Sequence, residues 1–469
     1  MSQAQEPAQI GIYGLGTMGS ALALNLAEQG IRVAITNRDS DWIAPFLDRA
    51  GALAGQMVPA DTLAEFVAAL ASPRIVLFMI PSGAPMDAML AEIVPLLAPG
   101  DIVIDAGNAD FNDTRRRTRE LAPTGLHFTG MGVSGGEAGA RHGPSIMVGG
   151  SKSAWTALEP ILTRIAARYE GTPCVARVGP DGAGHFVKTV HNGIEYADMQ
   201  MIAEIYGLLR DGAGWEAPRI GALFADWDRG PLHGFLTEVT AKTLVARDPA
   251  TGRPLVDAIC DRAGQKGTGR WTVIEALKLG QAAGVIGAAV DARVWSAQAG
   301  LRQCAEERLS PGAGSFDPLP AGALEQALIA GRLVTLVQGF EELAAASGEF
   351  SWELDLAGIA RIWRAGCIIR SDLLHPLIGA LGQAGPLPLA HPLPALLAAN
   401  VAPLRRVVAG AVGAGLPVPA LAAALGWYDS IRRARGSANL IQAQRDFFGA
   451  HGFARIDSPG SHHGDWGER

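Results

Sequence analysis

The sequence predicts an α/β domain built on a mostly parallel sheet, then a large all-α domain with a possible duplicated helical unit, then a short C-terminal tail. Two observations carry most of this. Apolar runs of strand length alternate with helical patterns through the first third of the chain, and strand signals fade after about residue 182, where helical spacing takes over. A third is the closing "SPGSHHGDWGER", which reads as a flexible tail. The expected boundaries are 1–181, 182–440 and 441–469, and 469 residues suffice for two or three domains with sizeable cores.

The first element is the apolar strand in "QIGIYGLGTMGSALALNLAEQG", which runs into Gly14-Leu15-Gly16-Thr17-Met18-Gly19 and then a helical pattern. The first glycine permits the tight turn, the second lets a pyrophosphate approach the backbone, and the third lets helix and strand pack closely. The helix N-terminus then faces the phosphates with free N–H groups. A second strand, "RVAIT", follows at the right distance, so the glycine pattern is that of a Rossmann dinucleotide-binding domain. This strand ends in Asn37-Arg38-Asp39. An acid here suits the ribose 2′-OH of NAD, whereas an arginine suits the 2′-phosphate of NADP, so Arg38 favours NADP. The later strands "RIVLFMI" and "DIVIDAGN" end in loops of small residues. Cofactor and substrate are expected at such carboxyl ends, which makes Asn108 and the turn Ser134-Gly135-Gly136 candidate contacts.

The helical domain opens with "KTVHNGIEYADMQM". Residues three and four apart share a helix face, so Lys188, His191, Asn192 and Glu195 form one polar stripe, roughly 10 Å long at about 1.5 Å per residue. A solvated face with internal ion pairs is the plain explanation, but the segment lies between apolar stretches, and His with Asn is a poor choice for such a face. A stripe of this length reaches both ends of a six-carbon acid. Further along, "WEAPRIGALFADWDRG" echoes "WELDLAGIARIWRAG" as a weak repeat, with its aromatics expected in the core. Three basic clusters remain: Lys266 and Thr268 in "GQKGTGRW", Arg293 in "AAVDARVW", and Arg445 and His451 in "LIQAQRDFFGAHGF". Each alone is ordinary surface charge.

Composition narrows the function. Apolar content of 48% with 18% charge is that of a globular protein, and a net charge of −7 argues against nucleic acid as a partner. Cys174, Cys260, Cys304 and Cys367 are far apart, with no metal-ligand spacing, and the polar start "MSQAQEPAQ" lacks a signal-peptide core; both point to a reducing cytoplasm. The uncharged "VAGAVGAGLPVPALAAALGW" carries two prolines and four glycines, which indicates buried helices and their connection instead of a membrane span.

Five segments, "GVSGGEAGARHGPSIMVGG", "KTVHNGIEYADMQ", "QKGTGRWT", "RAGCIIRS" and "LIQAQRDFFGAH", closely resemble the 6-phosphogluconate dehydrogenase family, decarboxylating enzymes of the pentose phosphate pathway. Their order and spacing cover nearly the whole chain. The resemblance implies a homodimer with shared active sites, in which the tail of each subunit reaches the other. It implies Lys188 as general base and Glu195 as general acid. Asn108, Ser134, Gly135, Gly136, His191 and Asn192 would hold the phosphorylated sugar acid, and Tyr196, Lys266, Thr268 and Arg293 would gather at its phosphate. Arg445 and His451 would complete the partner's site. Gly14 to Gly19, Asn37, Arg38, Asp39, Ile80, Pro81, Ser82 and Asn108 would hold NADP. No metal is implied.

The chain departs from the family pattern on the cofactor side. Where the family carries Thr or Ser after the Asn-Arg pair, this sequence has Asp39; where a loop like "MVKAG" is usual, it reads "FMIPSG", so Pro81 replaces a lysine. A relaxed preference is therefore expected, with NADP used and NAD competing. Two other functions fit the glycine loop: a β-hydroxyacid dehydrogenase of the 3-hydroxyisobutyrate type, and a non-catalytic dinucleotide-binding redox sensor. Lys266, Arg293 and Arg445 argue against the first, since an uncharged substrate end needs no three cations; Lys188 with Glu195 argues against the second.

Overall fold

A computed structural model describes residues 6–309, 314–317 and 321–467. Most of the polar start of the chain (residues 1–5) and the last two residues of the tail lie outside the described residues. The strands of the first domain are β1 (Ile10–Tyr13), β2 (Val33–Thr36), β3 (Met57–Pro59), β4 (Ile75–Phe78), β5 (Ile102–Asp105), β6 (His127–Val133), β7 (Ile146–Gly149), β8 (Arg168–Tyr169), β9 (Thr172–Pro173) and β10 (Val175–Gly179). β1, β2, β4 and β5 are buried at every position, as continuous apolar strands covered by helices on both faces must be.

The main sheet has the order β10-β7-β6-β5-β4-β1-β2-β3. β1 pairs in parallel with both β2 and β4, so the chain order reverses between β1 and β4. A crevice outside the carboxyl ends of these two strands is where such a fold takes its ligand. The glycine loop borders it after β1, and residues 80–83 border it after β4. Packing at the loop is tight: a Cβ on Gly19 would stand 1.8 Å from the carbonyl oxygen of Gly14, so helix Thr17–Glu28 starts against β1 only because residue 19 is glycine. The far edge is a feature the apolar pattern does not reveal. There β6 pairs antiparallel with β7, and β7 pairs in parallel with β10. β6 carries Gly130 and Gly132, which weaken its strand signal.

Helix Ala183–Gly207 follows β10 directly and is the axis of the second domain. Every residue from 183 to 194 is buried, polar ones included. A helix buried all round must be packed on several sides, and this one meets β6, β7, helix Thr268–Lys278 and helix Ala321–Glu349. Two polar contacts fix its far half. Arg332 Nε donates to Asp198 at 2.6 Å, and the Glu204 carboxylate accepts from the N–H groups of Ala420 and Leu421 at 2.8 and 2.9 Å, at the start of helix Pro419–Ile431.

The segments of the weak repeat form helices Ala217–Trp227 and Leu356–Ile362, with Trp227 and Trp363 in the core. Helix Leu393–Gly413 is long and apolar enough to cross a membrane by composition. It packs on Ala321–Glu349 through one face, with Leu397, Leu404 and Val407 buried, and the uncharged stretch continues through a turn into Pro419–Ile431.

The tail corrects one expectation. Within the described residues it is not a loose extension: β11 (Phe453–Ala454) and β12 (Ser461–His462) form an antiparallel ribbon against helix Ala438–Gly449. Its order comes from hydrogen bonds to one buried carboxylate, Asp446, which no hydrophobic pattern signals.

Candidate active site

The polar stripe of helix Ala183–Gly207 is not a solvated face. Lys188 is 6% exposed and His191 is fully buried, because the stripe turns toward the end of β6. Gly132 on that strand makes room: a Cβ there would lie 2.4 Å from the Cβ of Lys188. The strand then ends in Ser134-Gly135-Gly136, where helix Gly136–His142 begins. The Ser134 N–H donates to the Ser145 carbonyl at 3.0 Å, and the Ser145 N–H donates to the Gly366 carbonyl at 2.8 Å. The serine turn is thus tied through Ser145 to the segment "RAGC".

A hydrogen-bonded chain joins these parts. Lys188 Nζ lies 3.3 Å from His191 Nδ1, and His191 Nε2 lies 3.1 Å from Ser134 Oγ. With its proton on Nε2 the imidazole donates to the serine and accepts from the lysine. Glu195 Oε2 is 3.8 Å from His191 Nδ1, one turn further along the same face. Asn192 Nδ2 donates to Asn108 Oδ1 at 3.4 Å, which links the stripe to the loop after β5.

Burial sets the charge states. It pushes the Lys188 ammonium below its ordinary value, with the negative fields of Glu195 and Cys367 opposing. It also pushes the Glu195 carboxyl above its ordinary value, against Lys188 and Arg293, while Asp198 adds to the rise. His191 is held well below the usual imidazole range by burial and by Lys188. Desolvation disfavours every charged form. The result is a lysine biased toward the neutral amine and a carboxyl biased toward the acid, two turns apart on one face. A neutral amine can accept a proton and a protonated carboxyl can give one.

The cationic end lies beyond Glu195. Arg293, on helix Gly284–Ala297, sits over the Tyr196 ring at 4.4 Å, and its Nη1 donates to the Gly264 carbonyl at 2.8 Å. That bond ties it to the loop bearing Lys266, whose side chain is exposed. Thr268 is buried at the first turn of helix Thr268–Lys278, and Tyr196 packs so closely on that turn that a Cβ on Gly269 would meet its ring at 2.6 Å. The structure therefore places along one helix three sets of contacts: Lys188, His191, Ser134 and Glu195; Asn192 and Asn108; Tyr196 and Arg293. It does not join Arg445 or His451 to them among the described residues: Arg445 Nη1 bonds Gln442 at 3.3 Å, and the His451 ring faces Phe448.

Two side chains near the site are not among the residues expected to bind or react. Trp363 and His191 pack edge-to-face with ring centroids 5.4 Å apart, and buried Cys367 bonds the Trp363 carbonyl through Sγ at 3.0 Å, its thiol pushed up to about 12 by burial. Both belong to "IWRAGCIIRS", whose "RAGCIIRS" part carries the family resemblance but which has no polar stripe to mark these two side chains; their place by the site is seen only in space.

On the cofactor side, helix Thr17–Glu28 has no side-chain cap and no acid in its first turn, and Gly16 and Thr17 are exposed, so its leading N–H groups face the crevice. The Leu15 N–H donates to Asn37 Oδ1 at 3.0 Å, which fixes the glycine loop to the end of β2. Arg38 and Asp39 are both exposed there. One Asp39 oxygen accepts from the Asp41 N–H at 3.1 Å and caps the following short turn. Ile80 and Ser82 are partly buried beside exposed Pro81 on the opposite lip.

Comparison with known proteins covers the whole of this architecture. Residues 9–179 match the family model "NAD binding domain of 6-phosphogluconate dehydrogenase", and residues 184–466 match "6-phosphogluconate dehydrogenase, C-terminal domain". The chain is 45% identical to the decarboxylating 6-phosphogluconate dehydrogenase of Synechococcus elongatus, and 43% identical to the NADP(+)-dependent, decarboxylating enzyme of Bacillus subtilis. Each alignment spans 98% of this chain and 99% of the relative. The Plasmodium falciparum 6-phosphogluconate dehydrogenase, solved in its apo form, with NADP+ and with 6-phosphogluconate, superposes with a TM-score of 0.92 at 35% identity, over 98% of this chain and 100% of that one.

Proposed function

Because the chain belongs to the 6-phosphogluconate dehydrogenase family, we propose that it converts 6-phospho-D-gluconate to D-ribulose 5-phosphate and CO2 while reducing NADP, with Lys188 as base and Glu195 as acid. The observation that carries the assignment is the buried face of helix Ala183–Gly207, where an amine and a carboxyl, both biased toward their neutral forms, flank a histidine bonded to Ser134. Bound NADP supplies the hydride acceptor. Lys188 takes the C3 hydroxyl proton as the hydride leaves. The resulting ammonium polarises the C3 carbonyl and passes its proton to that oxygen as the β-keto acid loses CO2, so the electron pair of the broken C–C bond moves into an enediol and Lys188 is an amine again. Glu195 protonates the carbon that lost CO2 while Lys188 takes the proton from the C3 hydroxyl as the carbonyl re-forms. His191 keeps Lys188 aimed at the reacting oxygen through its bond to Ser134. Asn108, Ser134, Gly135, Gly136, His191 and Asn192 hold the carboxyl end and hydroxyls, and Tyr196, Lys266, Thr268 and Arg293 hold the phosphate.

This is a cytoplasmic enzyme of the pentose phosphate pathway acting as a homodimer. The exposed apolar side chains Leu440, Ile441, Phe448 and Ile456 support a tail that docks on a second copy. Arg445 and His451 then serve the partner's phosphate site. Arg445→Ala weakens binding of 6-phosphogluconate by about 10- to 150-fold, the worth of a charge-assisted contact of roughly 1.5–3 kcal/mol. Mixed dimers of Lys188→Met and Arg445→Ala subunits regain activity, because one of their two sites is intact. No recovery on subunit exchange would mean that each site is built from one chain.

The cofactor residues fit NADP with one reservation built into the sequence: the Asp39 charge, fixed by its bond to Asp41, stands beside Arg38. NAD therefore competes better here than in relatives with Thr at this position. Asp39→Thr keeps the turn cap and removes the charge, so the ratio of kcat/KM for NADP over NAD rises about tenfold per 1.4 kcal/mol of repulsion relieved. An unmoved ratio at fixed salt would mean that Asp39 faces away from the 2′-phosphate.

Turnover of 6-phosphogluconate with stoichiometric CO2 release tests the assignment as a whole. Preference for 3-hydroxyisobutyrate, or cofactor binding without turnover, would overturn it.

A further inference from the structure

Asp446 is the least exposed carboxylate of the tail, with no accessible surface, in a segment whose neighbours are mostly exposed. Burying a carboxylate is costly unless its lone pairs are filled. Here they are. Oδ1 accepts from the Gly452 N–H at 2.9 Å and faces His463 Nδ1 at 2.7 Å; Oδ2 accepts from the Gly464 N–H at 2.9 Å and from Trp466 Nε1 at 2.8 Å. These partners come from both sides of the β11–β12 ribbon, so one side chain closes the ribbon onto helix Ala438–Gly449.

The position of Asp446 relative to Arg445 and His451 matters most. Arg445 precedes it and points outward. His451 lies between two bonds to the same residue: the Ala450 N–H donates to the Asp446 carbonyl at 2.9 Å, and the Gly452 N–H donates to its carboxylate. Gln442 Nε2 adds a bond to the Gly452 carbonyl at 2.5 Å. The chain reverses at Ala450, which has φ +48°, so the histidine returns beside the helix end that carries the arginine. Without the carboxylate, the Gly464 and Gly452 N–H groups and the Trp466 indole lose their acceptor together, and among the described residues no other charged side chain bonds the ribbon to the helix.

We infer that Asp446 is a positioning residue for substrate binding: it folds the tail into a rigid clasp and sets Arg445 and His451 at one spacing before the clasp meets a phosphate. This rests on the proposal that those two residues serve the partner subunit's site. Preorganisation of this kind lowers the ordering cost of binding and leaves the chemical step alone. Its signature is a change in KM with little change in kcat.

The test is steady-state kinetics of the full-length enzyme. Asp446→Asn, which keeps the shape and puts a donor where Oδ2 accepts, raises KM for 6-phosphogluconate by about tenfold, with kcat and KM for NADP within about twofold. Trp466→Phe removes one donor from a partly exposed residue and raises the same KM by about threefold; it decides the matter if the asparagine variant fails to fold. In an Arg445→Ala, His451→Ala background both substitutions lose most of their effect, because the residues they position are gone. Equal effects in both backgrounds, or unchanged KM in Asp446→Asn and Trp466→Phe alike, overturn the inference. If Arg445→Ala itself leaves KM unaltered, the shared-site reading fails instead, and the two failures are told apart by that one variant.

Discussion

Replacing Lys188 by Met lowers the rate of 6-phosphogluconate oxidation by about 10²- to 10⁴-fold, the usual worth of a general base, while substrate still binds. Methionine keeps the unbranched stem that packs on Gly132 and carries no basic nitrogen. Single-turnover absorbance of the reduced nicotinamide measures the step, and retained binding is read by titration of the variant with substrate. Near-normal turnover removes Lys188 from the mechanism. The pH profile gives an independent check. Burial lowers the Lys188 pKa from 10.5, and the proposed base role requires the unprotonated amine. Oxidation therefore falls as pH drops through the depressed pKa, and that acid limb is absent from whatever activity the methionine variant retains.

Glu195→Gln acts later in the sequence of events. Hydride transfer survives, but protonation of the enediol slows by about 10²- to 10⁴-fold, since glutamine keeps the shape and gives up the acid. Burial raises the Glu195 pKa from 4.5, and the proposed acid role requires the protonated form. Protonation by the wild-type enzyme therefore fades as pH rises through that raised pKa, and the glutamine variant loses this alkaline limb. Incorporation of solvent protons at C1 of ribulose 5-phosphate is the measurement. Unaltered incorporation kinetics would assign the acid to another group.

Much of the candidate site was legible because its residues are close in sequence and share one helix face. Lys188, His191, Asn192 and Glu195 stand out by spacing alone, and the glycine loop with Arg38 stands out by its flanking strands. The ends of β4 and β5 were visible because fully buried parallel strands are written as unbroken apolar runs. The antiparallel edge of the sheet was not, since Gly130 and Gly132 lower the strand signal for the sake of His185 and Lys188 packed behind them. The order of the tail was hidden for a different reason: it depends on one carboxylate meeting donors up to 20 residues away, and no periodicity encodes that.

The sequence by itself determined the class of fold, the cofactor loop, the polar stripe and the family, because each is a local pattern or a set of short segments. Only the tertiary structure decided that the stripe is dry, that Trp363 packs on its histidine, that Ser145 ties the serine turn to Gly366, and that Asp446 closes the tail. Burial is the physical reason. The charge state of a lysine or a glutamate depends on how much water and which charges surround it, and those surroundings are assembled from elements more than a hundred residues apart.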